Sequence, residues 1–92
     1  MIVLSQNSYA AIDVCAGEIQ EDIQRNEQGQ EYLAAYKIVL FSFNAAFAVG
    51  FYGSLDEAAA VFHDILKHWK DGDEWYDIKA RESVILKKKR AW

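Results

Sequence analysis

The sequence predicts a small α+β domain, an antiparallel sheet of about five to six strands in the order ββββ(β)αβ, with a single layer of helix on sheet. Three observations carry this reading. Strand-like apolar segments separated by turn residues fill the first half of the chain, and only residues 55–70 show the three-and-four spacing of an amphipathic helix. The length of 92 residues leaves room for one core, so residues 1–92 are read as one domain. A composition with 52% hydrophobic and 26% charged residues is that of an ordered chain.

The elements follow in order. Met1 to Leu4 is an apolar run, Gln6-Asn7-Ser8 has turn chemistry, and Tyr9 to Val14 again suits a strand, which together read as an opening hairpin. Glu18 to Gln24 is read as a strand, although Ile19 and Ile23 also have helical spacing. Asn26 to Gln30, with Gly29, forms a polar turn. Tyr32 to Phe43 and Phe47 to Tyr52 then make a second hairpin, rich in aromatic and β-branched residues. Alternation puts Tyr36, Ile38 and Leu40 on one face and Val39, Phe41 and Phe43 on the other. Both faces are apolar, so such a sheet needs two covers.

One clear helix is available to provide them. Ser54 and Glu57 form a capping box at its start, Asp56 and Glu57 suit the positive end of its dipole, and Gly72 supplies the stop. Leu55, Ala58, Ala59, Phe62, Ile65, Leu66 and Trp69 fall on one stripe. Trp75 to Ala80 alternates as a last strand would. Residues 81–92 are open between strand, basic tail and short helix, since Ile78, Glu82, Ile85, Lys89 and Trp92 also fit a helical period.

Charge is uneven. Residues 1–77 carry four bases against thirteen acids, a net of −9, and residues 78–92 carry six bases against Glu82, a net of +5. An acidic body repels nucleic acid and invites the basic end to dock on it or on a sister chain. The lone Cys15 has no intramolecular disulfide partner, no signal-peptide pattern opens the chain, and no apolar run reaches the roughly 18–20 residues that span a bilayer. The expected setting is cytoplasmic, without a membrane partner.

No constellation points to catalysis. His63 and His68, five apart on a helix, diverge by about 140° and do not share a metal; His68 is read instead as a surface pair with Asp64 four residues earlier. Cys15 is read as a small buried hydrophobe rather than a nucleophile. Glu21-Asp22 and Asp73-Glu74 are read as solvating carboxylates, and Gly50 and Gly53 lack the spacing of a phosphate loop. Gly50 is expected to relieve crowding in its strand. No catalytic, metal-binding or cofactor-binding residue is therefore assigned, and no small-molecule substrate is identified. Two candidate surfaces remain. Val39, Phe41, Phe43, Phe47 and Phe51, on the second sheet face or a strand edge, suit self-association or another protein. Lys87, Lys88, Lys89, Arg90 and Trp92 offer cations and a stacking indole for nucleic acid as the alternative.

The start Ile2-Val3-Leu4-Ser5-Gln6-Asn7, then Ile12-Asp13-Val14, and later Val49-Gly50-Phe51-Tyr52-Gly53-Ser54-Leu55-Asp56-Glu57-Ala58 leading into Phe62-His63-Asp64-Ile65-Leu66, resembles small, largely uncharacterised proteins of Gram-positive bacteria and their phages. The resemblance covers about two-thirds of the chain. Its motifs are turn, cap and core residues, so it implies a fold (hairpin, one helix, short final strand) and no active site. This chain departs in its alanine-rich Ala45 to Ala48 and its long basic end. The expected function is a non-enzymatic protein-interaction module, of phage or mobile-element origin.

Overall fold

Six strands and two helices follow one another along the chain: β1 (Ile2–Leu4), β2 (Ala11–Asp13), β3 (Ala16–Arg25), β4 (Glu31–Phe41), β5 (Ala46–Tyr52), α1 (Leu55–Lys70), β6 (Trp75–Asp77) and α2 (Ile78–Arg90). They come from a computed structural model that describes residues 1–90, with side chains described for residues 1–86. The strands form two three-stranded sheets rather than one. In the first, β1 lies between β2, antiparallel to it, and β6, parallel to it. In the second, β3, β4 and β5 make an antiparallel meander.

Two short crossings join the sheets. The Cys15 amide donates to the Phe41 carbonyl (2.7 Å), where the chain leaves β2 for β3. The Gln6 amide donates to the Val49 carbonyl (2.6 Å), so the continuation of β1 runs onto the outer edge of β5. The parallel β1–β6 pair needs a long crossover, and the meander and α1 supply it. No local sequence signal announces such a pair.

Two irregularities shape the meander. Val39 pairs with Ala48 and Ile38 with Gly50, which leaves Val49 as an extra residue in β5; Asp22 pairs with Ala35 and Ile23 with Leu33, which leaves Ala34 extra in β4. The first bulge lets Val49 join the core. Gly50 is required beside it, because a β-carbon there would lie 2.7 Å from the Tyr52 hydroxyl and 2.9 Å from its ring. Gly17 has a similar role on β3, where a β-carbon would come within 2.6 Å of Leu40.

Helix α1 spans the residues expected from sequence, and Ser54 caps it by accepting from the Glu57 amide (3.2 Å). Its buried residues are Ala58, Val61 and Ile65, with Phe62 and Trp69 partly buried. Leu55 and Leu66 are exposed. The stripe is thus turned from the expected one towards Val61, because α1 contacts β3, β4 and β5 on one side and α2 on another.

The C-terminal segment departs most from expectation. The last strand ends at Asp77 and α2 begins at the next residue, capped by the Asp77 carboxylate, which accepts from the Ala80 amide (3.3 Å). Ile78 and Leu86 of α2 enter the same core as Val3, Ile12, Ile38, Leu40 and Tyr76. A single helix on a single sheet is therefore replaced by two helices and two sheets around one core. Helix α2 contacts α1, β1 and β6, and so adds to the cover already given by α1. Its buried side chains among the described residues, Ile78 and Leu86, lie in the core shared with α1 rather than on the opposite face of the meander.

That opposite face is less greasy than β4 alone suggests. Register places Glu18 and Ala48 on either side of Val39, and Gln20 and Phe51 on either side of Lys37. Val39 is buried between its neighbours, at 6% exposure. The polar contribution of β3 makes a full second cover unnecessary.

Candidate interaction surface

Of the five residues singled out for protein contact, Phe43 is the most exposed, at 97%, on the turn that joins β4 to β5. This turn is closed by the Ser42 amide donating to the Ala45 carbonyl (2.9 Å). Phe47 and Phe51 on β5 are 41% and 48% exposed. Phe41 is half-buried, and Val39 is withdrawn inside the sheet. The structure brings Phe47 and Phe51 together in the wall of one hollow of about 150 Å³, and adds a segment that sequence reasoning passed over. Ser5, Gln6, Tyr9 and Ala10 form its other side.

The 5–10 loop is held by its own polar groups. The Ser5 hydroxyl donates to Asn7 Oδ1 (2.6 Å) and accepts from the Ala10 amide (3.1 Å), and Asn7 Oδ1 also accepts from the Tyr9 amide (3.0 Å). Ser8 sits in the left-handed region at φ 64°, as a small turn residue can. The result is a fixed platform that presents Tyr9 at 93% exposure. An aromatic ring held this far into water on a bonded loop contributes little to folding.

Gln6 joins the loop to β5. Its Oε1 accepts from the Phe51 amide (2.8 Å) and its Nε2 donates to the Phe51 carbonyl (3.2 Å), which is how a peptide group of a neighbouring strand would meet that residue. The same Nε2 donates to Glu82 Oε2 (3.2 Å), which also accepts from the Tyr52 hydroxyl (3.0 Å). Burial, the Glu82 charge and this hydrogen bond push the Tyr52 hydroxyl well above the ordinary tyrosine range, so it stays a donor. Helix α2 thereby clamps Gln6 in place.

One property unites the loop and β5: neither residues 1–12 nor residues 38–55 contain a charged side chain, in a chain with ten bases and fourteen acids. The residues that line the hollow are all uncharged, with Lys37 paired to Phe51 and Glu82 bonded to Gln6 at its margin.

A second polar constellation ties α1 to β6 and α2. Asp64 Oδ2 accepts from the Tyr76 hydroxyl (2.7 Å) and from Arg81 Nε (3.0 Å). His68 approaches it through Nε2 at 3.7 Å, as the spacing on α1 suggested, and bonds Asp73 through Nδ1. The His68 and Tyr76 rings meet edge to face, with centroids 5.3 Å apart. Burial acts to raise the Asp64 carboxyl, but the hydrogen bonds from Arg81 and Tyr76 and the Arg81 charge outweigh it, so it titrates below the usual carboxylate range. Tyr76 is pushed upward, first by burial and then by its bond to Asp64. Every member is satisfied by another, which is the pattern of a structural joint.

Among the described residues, no group of three or more His, Cys, Asp or Glu side chains is placed to hold a metal ion, and no helix is long and apolar enough to cross a membrane. Cys15 is exposed. The side chains of Lys87, Lys88, Lys89 and Arg90, with Trp92, lie outside the described residues. Compared with family models, curated proteins and solved structures, the chain matches none of them.

Proposed function

We propose that the chain is a non-enzymatic protein-interaction module, of phage or mobile-element origin as its motifs suggest, which engages its partner through the uncharged aromatic surface formed by β5, the β4–β5 turn and the 5–10 loop. The observation that supports it is the gathering of Tyr9, Phe47 and Phe51, all exposed, around one hollow lined by uncharged residues, with Phe43 exposed on the turn that leads into β5. Interfaces concentrate aromatic residues and exclude charge from their centres, and exposed apolar patches mark where a partner seats. The partner is a protein, either another chain or a second copy of this one.

Site-specific photo-crosslinking in cells tests this. A benzophenone side chain at Phe43 is expected to yield discrete protein adducts, and the additional change Tyr9→Ser is expected to weaken them. The same probe at Gln28, on the exposed β3–β4 turn, is the comparison. Equal adducts from both positions, or none from Phe43, would reject this surface.

A further inference from the structure

The meander has two outer edges, and they are protected in different ways. Along β3 stand Glu18, Glu21, Asp22 and Arg25, and charges of this kind keep an exposed strand edge from pairing with another chain. Strand β5, with the sequence AFAVGFY, has neither charge nor proline, which is the composition that pairs with copies of itself most readily. What occupies its edge is Gln6. The backbone amide of Gln6 bonds Val49, and its carboxamide bonds both polar groups of Phe51, so residues 49–51 have their strand-like partner within the molecule.

We propose that Gln6 is an edge guard: its carboxamide stands where a neighbouring strand would lie, and once it is removed the β5 edge of a second copy takes that place. Electrostatics selects this occupant and this site. Two copies of a chain with formal net charge −4 repel, and β5, whose own residues carry no charge, is an edge at which they meet with less repulsion than at the acidic β3 edge. The copies would then pair β5 against β5 about a two-fold axis, which is the self-complementary form a strand edge allows. Glu82 holds the guard closed through Gln6 Nε2 at 3.2 Å. The proposal rests on the reading of the β5 side as the interaction surface, but it concerns how that side is kept in check.

Sedimentation velocity on the full chain, from low to high micromolar concentration, provides the test with three variants. Gln6→Ala is expected to self-associate on the order of tenfold or more tightly than the parent, since the amide and the carbonyl of Phe51 then lack their partner while the backbone bond to Val49 remains. Gln6→Glu, which loses the donor but leaves a carboxylate on the edge, is expected to remain as monomeric as the parent. Adding Phe47→Lys to Gln6→Ala is expected to restore the monomer. Amide exchange at Phe51 should quicken in Gln6→Ala at low concentration and slow again as the dimer fills. Should Gln6→Ala fail to fold, Gln6→Asn, whose shorter side chain does not span to Phe51, carries the same comparison. A folded Gln6→Ala that stays monomeric throughout would overturn the proposal, and so would equal association of the alanine and glutamate variants. Association of Gln6→Ala without adducts from Phe43 would instead remove the functional reading and leave the guard standing.

Discussion

At Gly50 the Tyr52 ring lies across the space a β-carbon would fill. Replacement by alanine restricts the unfolded chain, a gain of about 0.4–1 kcal/mol, but displaces a buried ring whose hydroxyl is bonded to Glu82. Overpacking of about 1–3 kcal/mol wins, so Gly50→Ala should lower stability, as denaturant unfolding will show. Asp64 acts through charge. Because its carboxyl titrates below the unfolded value of about 3.9, its stabilisation is complete above that pH and is lost as pH falls through the folded-state value. Asp64→Asn should therefore cost about 1.5–3 kcal/mol at neutral pH and flatten the acid limb of Tm against pH. An unchanged acid limb would show that other carboxylates govern acid unfolding. Neither effect was legible in the sequence: Tyr76 and Arg81 reach Asp64 from 12 and 17 residues away, and no short-range pattern encodes that.

Helix α1 is the element the sequence announced most fully, since capping box, dipole charges and stop glycine are all local. Its buried stripe was less legible. Periodicity allows any stripe of apolar residues, and Val61 and Leu66 compete until tertiary neighbours choose. We expect Val61→Ala to cost about 2 kcal/mol and Leu66→Ala well under 1 kcal/mol in thermal or chemical unfolding, because only Val61 is enclosed. The reverse order would mean that α1 packs with the stripe first expected. Both hairpins could be read from turn residues and β-branched runs, yet their division into two sheets could not, because it depends on the long-range β1–β6 pair. Helix α2 was misjudged at its start: Trp75 to Asp77 alternates as a strand should, and the change of period at Ile78 occurs without a linker. Asp77 three residues before Ala80 was the available signal, a cap in mid-segment. In the candidate surface, Phe43, Phe47 and Phe51 stood out as apolar residues on a strand and turn, whereas Tyr9 and Gln6 belong to a polar loop whose place beside β5 only the fold determines.

Across the whole molecule, order is unevenly supported. Residues 23–34, the far end of the β3–β4 hairpin, are exposed throughout, while residues 38–40 are buried, Ile38 and Leu40 in the core shared with α1. Opening of the far end exposes little further apolar surface, so amide exchange should be fastest there and should slow towards Ile38. Uniform protection along β4 would show that something covers the hairpin tip in solution. The two sheets also differ in how far apart in sequence their partners lie. The meander is complete once Tyr52 has been added, and its pairings are local. Ile2 and Val3, by contrast, must await Trp75 and Tyr76 before the parallel pair can close. On the ribosome, residues 2–4 therefore complete their pairing only after residues 75–77 have emerged. A nascent chain carries β1 with β2 as its strand partner and its other edge open until residues 75–77 have been made, and this is the interval in which a chaperone has most to do.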